Sequence, residues 1–148
     1  YGLVGSEMCI RDRARIVEKD ERDLGLRSIL NYGHTVGHAV ESVSDFAIGH
    51  GEAVAIGMVA AARISNKMGI FAKEELIRLK DIVEKAGLPT EIQDLEVEKI
   101  IQAMTHDKKV QKGKVRFILP RSIGKVFITD EVDLSLVEQV LAGWNGKT

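Results

Sequence analysis

Apolar residues along this chain recur mainly at the three- and four-residue spacing of helices. Residues 14–19 read as the end of a helix, and the charged stretch DERDLG at 20–25 reads as a turn with Gly25 at a left-handed position. From 28 to about 43, Ile29, Leu30, Val36, Ala39, Val40 and Val43 predict a second helix, and a loop follows at 44–49. A third helix is predicted from about 51 to 68, closed by Gly69 as its C-terminal cap. Its portion 53–64 is the most apolar in the chain but falls short of the roughly 20 residues of a membrane span, so it predicts a helix buried on nearly all sides. The stripe Leu76, Leu79, Ile82, Val83 and Ala86 predicts a helix over 73–86 that stops at Gly87, with Pro89 just beyond. Val97, Ile100, Ile101 and Met104 mark a shorter one over 96–105. Alternation over 114–119 sets Val115, Phe117 and Leu119 against Lys114, Arg116 and Ile118. With 125–129 across a turn at 120–124, it predicts a β-hairpin. Asp133 is placed to cap a last helix with Val137, Val140, Leu141 and Trp144 inward. The expected fold class is a mainly α domain with one small hairpin.

Composition narrows this picture only a little. At 148 residues the chain suits one domain with a real core. A formal net charge of −1 gives no electrostatic footprint for nucleic acid or an anionic membrane. The lone cysteine, Cys9, cannot form an internal disulfide, which fits a cytoplasmic setting, and the first residues lack the basic and apolar regions of a secretory signal. Residues 1–13, YGLVGSEMCIRDR, read unlike the rest. They are expected to be a translation of sequencing-adapter DNA, with the native sequence starting near Ala14, the alternative being a genuine turn and helix start. Cys9 and Glu7 are therefore given no functional weight.

Chemistry concentrates in GHTVGHAVESVSDFAIGHGEAV, which holds three of the four histidines. His34 and His38 stand four apart on one predicted helix, so their rings share a face, and His50 follows a loop that can return it beside His34. Neutral imidazole is the commonest protein ligand for zinc and similar ions. Spacing alone pairs His34 with His38 as ligands and leaves His50 as a third candidate. Glycines 33, 37, 49 and 51 let backbone or ligand approach the rings. Arg27 and Asn31 fall on the same side of the predicted helix as His34 and His38, a cationic and polar face for an anionic, hydroxylated small molecule. Lys108 and Lys109 form a basic run after His106, either a solvated loop or an anion contact. Glu41, one turn past His38, either orients a ligand histidine or faces water, and Glu52 is explained by the helix dipole. No G-x-G-x-x-G occurs, so the chain shows no dinucleotide-binding fingerprint of its own.

The runs DERDLGLRSILNYGHTVGHAVE, HGEAVAIGM, DKK and LPRSIGK, in this order from about Ala14 to the C-terminal helix, resemble 3-dehydroquinate synthase, a sugar-phosphate cyclase family. The resemblance implies a helical metal- and substrate-binding C-terminal domain over 14–148, separated from an N-terminal NAD-binding domain. It makes His34 and His50 the metal ligands, with a glutamate upstream of this chain as the third, and so overrides the pairing by spacing. His38 then faces the substrate phosphate and assists proton transfer, near Asn31 and a lysine of the DKK segment, and Arg27 contacts the substrate anion. The family has a lysine at the position of Arg13 and usually a glutamate where Asp23 stands. The implied reaction turns 3-deoxy-D-arabino-heptulosonate 7-phosphate into 3-dehydroquinate and phosphate. It uses NAD and a divalent metal, zinc or cobalt, in an enzyme expected to be a homodimer when intact. Competing readings are another cyclase of the 2-deoxy-scyllo-inosose or valiolone type, an iron-dependent polyol or alcohol dehydrogenase, and a standalone helical interaction module.

Overall fold

The computed structural model of the chain describes residues 14–16, 18–19, 26–106 and 113–144, without the side chains of Leu26 and Arg27. Residues 14–16 and 18–19 are helical. A 3-10 helix, Leu26–Asn31, leads through Tyr32 and Gly33 into α1 (His34–Val43). Then come α2 (His50–Lys67), α3 (Lys73–Lys85), α4 (Val97–Thr105), the antiparallel strands β1 (Phe117–Ser122) and β2 (Lys125–Thr129), and α5 (Leu134–Ala142). The expected mainly helical class with one hairpin is what the described residues form.

The single helix expected over 28–43 is interrupted. Gly33 takes φ 83°, a left-handed backbone through which a right-handed helix cannot propagate, so the 3-10 helix ends and α1 begins anew. Arg27 and Asn31 therefore belong to a different element from His34 and His38, and helical offsets no longer place the four on one face.

The reason for the break lies in α2. That helix is enclosed along most of its length, with Ala53, Ile56, Val59, Ala60, Ala62 and Ile64 among its buried residues. It packs on α1, α3, α5 and β1. Against α1 the two backbones nearly touch. A methyl group on Gly57 would overlap the Gly33 carbonyl oxygen and lie 2.8 Å from the Gly37 nitrogen, and one on Gly37 would meet the Ala53 carbonyl oxygen at 3.0 Å. Glycine is required here by packing, as well as by the left-handed turn at Gly33.

The remaining elements close around α2. Ser65, fully buried, donates its hydroxyl to the Pro120 carbonyl at 2.6 Å and ties β1 to the helix. Pro120 and Ser122 were expected in the hairpin turn but lie in β1, with a register irregularity between them that suits a proline lacking an N–H. The turn is thus shorter than expected, Ile123 and Gly124, with Gly124 at φ 90°. Ile118, set on the polar side by alternation, is buried with Phe117 and Leu119. Asp133 caps α5 by accepting the Ser135 N–H at 2.9 Å, which holds its carboxyl below the ordinary range. Val137, Val140, Leu141 and Trp144 are buried as expected, and the Arg63 guanidinium lies 4.9 Å from the Trp144 ring centre. Only Val83 of the α3 stripe is fully buried, and Ile82 and Ala86 are exposed, because α3 leans on α2 along one narrow contact. No described helix is long and apolar enough to cross a membrane.

Gly57→Ala is expected to destabilise the chain by about 3 kcal/mol, the scale of overpacking against rigid backbone. Gly51→Ala, with nothing within 4 Å of the added methyl, should be neutral or gain up to ~1 kcal/mol of helix propensity. Urea unfolding of the two variants, followed by circular dichroism, checks the contrast.

Candidate metal and substrate site

His34 opens α1, His38 follows one turn later, and His50 opens α2. The chain must reverse between α1 and α2 to bring His50 back, and it does so with Asp45 and Phe46 both in the left-handed region, at φ 52° and 59°. For phenylalanine that conformation is unfavourable, yet Phe46 is 70% exposed and has no burial to offset it. The turn is held by its hydrogen bonds: the Glu41 carbonyl accepts the Phe46 N–H at 2.9 Å and the Ser44 hydroxyl at 3.0 Å.

The result is a triangle of imidazoles. Ring centres lie 5.2 Å apart for His34 and His38, 5.5 Å for His34 and His50, and 5.8 Å for His38 and His50. The rings of His34 and His50 both have Nδ1 engaged. That of His34 is 3.3 Å from the Tyr32 carbonyl oxygen, and that of His50 is 3.1 Å from Glu41 Oε2. An oxygen acceptor in each case favours the tautomer with the proton on Nδ1, which leaves the Nε2 lone pair of both rings for a ligand.

Tyr32 fastens this corner to α2. Its carbonyl holds His34, and its hydroxyl donates to the Met58 carbonyl at 2.8 Å. Burial pushes the phenol pKa well above its ordinary value.

The donor set suits a divalent ion of zinc type, which takes imidazole nitrogen and carboxylate oxygen at about 2.0–2.2 Å. One ligand atom each of His38, Glu41 and His50 lie within 4.8 Å of one another. Tetrahedral coordination brings ligand atoms to roughly 3.3 Å, so the side chains must close inward around an ion. Spacing alone paired His34 with His38, and the structure adds His50 to both.

The other expected residues are more scattered. Asn31 is half-buried at the end of the 3-10 helix, with Tyr32 and Gly33 between it and His34. The side chain of Arg27, and Lys108 and Lys109 entirely, lie outside the described residues. The chain does reach α1 on both sides of that lysine segment: α4 packs on α1, and past the segment the Arg116 carbonyl accepts the Thr35 hydroxyl at 3.1 Å. His106 is turned to its own helix, donating from Nδ1 to the Gln102 carbonyl at 2.7 Å. Of the glycines thought to admit backbone or ligand, Gly33 and Gly37 admit the backbone of α2, and a side chain on Gly51 would meet nothing. Sequence reasoning missed Tyr32 and Gly57, although a glycine among small residues in an apolar helix is a signal for close helix packing.

Comparison with known proteins gives a consistent result. The family profile described as 3-dehydroquinate synthase C-terminal matches residues 6–110. The 3-dehydroquinate synthase of Nostoc punctiforme is 52% identical over 133 residues, covering 88% of this chain and 37% of the relative. That of a Synechococcus species is 50% identical over 137 residues, covering 91% and 37%. A crystal structure of 2-deoxy-scyllo-inosose synthase complexed with carbaglucose-6-phosphate, NAD+ and Co2+ superposes with a TM-score of 0.83 at 27% identity, over 93% of this chain and 40% of that one. The chain thus spans little more than a third of the length of these relatives.

The Tyr32 phenol stays neutral in the folded chain at pH values where an unfolded tyrosine, with its ordinary pKa of 10.0, ionises. Stability from this source is complete below pH 10 and falls as pH rises above it, by at most about 1.4 kcal/mol per pH unit. Tyr32→Phe is expected to remove that part of the alkaline slope, which urea unfolding at about pH 9 to 11 measures by difference.

Proposed function

Because the chain belongs to the 3-dehydroquinate synthase family, as its C-terminal domain, we propose that it supplies the metal- and substrate-binding part of an enzyme that converts 3-deoxy-D-arabino-heptulosonate 7-phosphate to 3-dehydroquinate and phosphate. The observation that carries this reading is the meeting of His34, His38 and His50, with Nδ1 of His34 and of His50 engaged, at the junction of α1 and α2. Identity near one half to the named synthases, against 27% to the inosose synthase, favours this substrate over that of the related cyclase.

His34 and His50 would hold a divalent metal, zinc or cobalt, through Nε2, with a third ligand from outside this chain. A cation held there supplies Lewis acidity toward the substrate hydroxyls. His38, on the same face of α1 and within one ring contact of both ligands, takes or returns a proton beside the substrate phosphate. Asn31 offers its amide to a hydroxyl, and Arg27, Lys108 and Lys109 offer cations to the phosphate and carboxylate. NAD binding belongs to the part of the enzyme this chain does not span, in keeping with the absence of a dinucleotide fingerprint. A cytoplasmic location and a homodimer of the intact enzyme complete the proposal, supported by the resemblance and, for location, by the single cysteine.

A chimera carrying residues 14–148 behind the N-terminal part of the Nostoc punctiforme relative provides the test. It is expected to form dehydroquinate from the heptulosonate phosphate and to leave glucose 6-phosphate and sedoheptulose 7-phosphate unchanged. The opposite preference would overturn the substrate assignment, and turnover by the isolated chain would overturn its dependence on the rest of the enzyme. In the chimera, His34→Ala and His50→Ala should each abolish retention of metal, measured by elemental analysis after gel filtration. His38→Ala should keep the metal and lose about 10²- to 10⁴-fold in kcat.

A further inference from the structure

Glu41 stands three residues after His38 and seven after His34, so its side chain rises from the face of α1 that carries both rings. It nevertheless reaches the histidine of the other helix. Its Oε2 lies 3.1 Å from His50 Nδ1, and its side chain is only 17% exposed where that of His50 is 57% exposed. The same residue holds the reversal between the helices through its carbonyl, which accepts from Phe46 N–H and Ser44 Oγ. Glu41 thus fixes both the path of the loop and the ring to which the loop leads.

We propose that Glu41 is the positioning residue of this metal site, setting His50 in the Nδ1-protonated tautomer so that Nε2 faces the ion. The inference rests on the reading of His34 and His50 as ligands. A neutral imidazole has one N–H, and placing it against the carboxylate leaves the lone pair on Nε2. The opposite tautomer would turn an N–H toward the ion and remove a ligand. The half-buried carboxylate also raises the basicity of the ring it accepts from, which the neutral Tyr32 carbonyl does less strongly for His34. The cluster of His38, Glu41 and His50 admits another arrangement, with Glu41 itself as a ligand. The 3.1 Å bond argues for the positioning role, because a carboxylate turned onto the ion gives up the His50 proton that fixes the ring.

The test uses the chimera, with Glu41→Gln and Glu41→Ala compared with His50→Ala. Zinc affinity is read by competition with a chromophoric chelator, the Co2+ visible spectrum reports the ligand set, and ¹⁵N-histidine NMR of the metal-free protein reports the His50 tautomer. Glu41→Ala is expected to weaken zinc by about 10- to 100-fold, less than His50→Ala. The Co2+ band shape should be retained, and His50 should shift to a mixture of tautomers. Glu41→Gln keeps an acceptor oxygen and is expected to recover most of the Nδ1-protonated form and part of the affinity. An unchanged tautomer with unchanged affinity in both variants would overturn the proposal. So would a loss in Glu41→Ala equal to that of His50→Ala with a changed Co2+ spectrum, which marks Glu41 as a ligand. If His50→Ala itself retains zinc, the ligand reading fails first, and the two failures remain distinguishable.

Discussion

The contact between α1 and α2 at Gly33, Gly37 and Gly57 is the constraint on which the rest of this domain depends. Where Gly57 faces the Gly33 carbonyl there is no room for even a methyl group, so the two backbones lie at the closest approach helices allow. That proximity has a direct chemical consequence. Two histidines near the start of α1 and one at the start of α2 can share a site only if the helix axes are this close. Any side chain at Gly57 would drive the helices apart, and the separations of 5.5 and 5.8 Å between the His50 ring and those of His34 and His38 would open with them.

The left-handed turn at Gly33 serves the same end. It breaks what would otherwise be one long helix and lets Tyr32 leave the helical path, so that its hydroxyl reaches Met58 and its carbonyl reaches His34. His34, a proposed ligand, is thereby oriented by the residue that also anchors the corner to the buried helix. On the opposite side Glu41 does the equivalent for His50, through a loop with two successive left-handed residues. Both rings are engaged at Nδ1, which leaves Nε2 of each for a ligand. This is the arrangement expected of a metal site whose supporting shell is built before the ion arrives.

The domain keeps its rigid packing around α2 and leaves the three imidazoles nearer its surface. His34 and His50 open their helices and His38 follows one turn into α1; His34 and His38 are half-buried, and His50 is more than half exposed. The chain spans little over a third of its relatives, and the third ligand and the nucleotide are proposed to come from the remainder. On the proposed reading, exposure of the site in this domain leaves room for those groups to complete it.

Much of this was legible in the residues. The periodicity of 51–68, the cap at Asp133, the inward stripe of the last helix and the crowding of histidines in GHTVGHAVESVSDFAIGHGEAV are local signals, and local chemistry determines what they report. Three features were decided only in the tertiary structure. The break at Gly33 depends on α2 pressing against it, since an isolated sequence of this pattern favours one continuous helix. The partner of Glu41 depends on where the chain returns after the loop, and spacing along one helix points to His38 rather than His50. The exposure of Ile82 and Ala86 depends on how many neighbours α3 finds, which the stripe itself does not specify. The sequence thus determined which groups were available and which elements carry them. Close approach of two backbones determined which groups meet, because the distance between helices is set by what both surfaces lack.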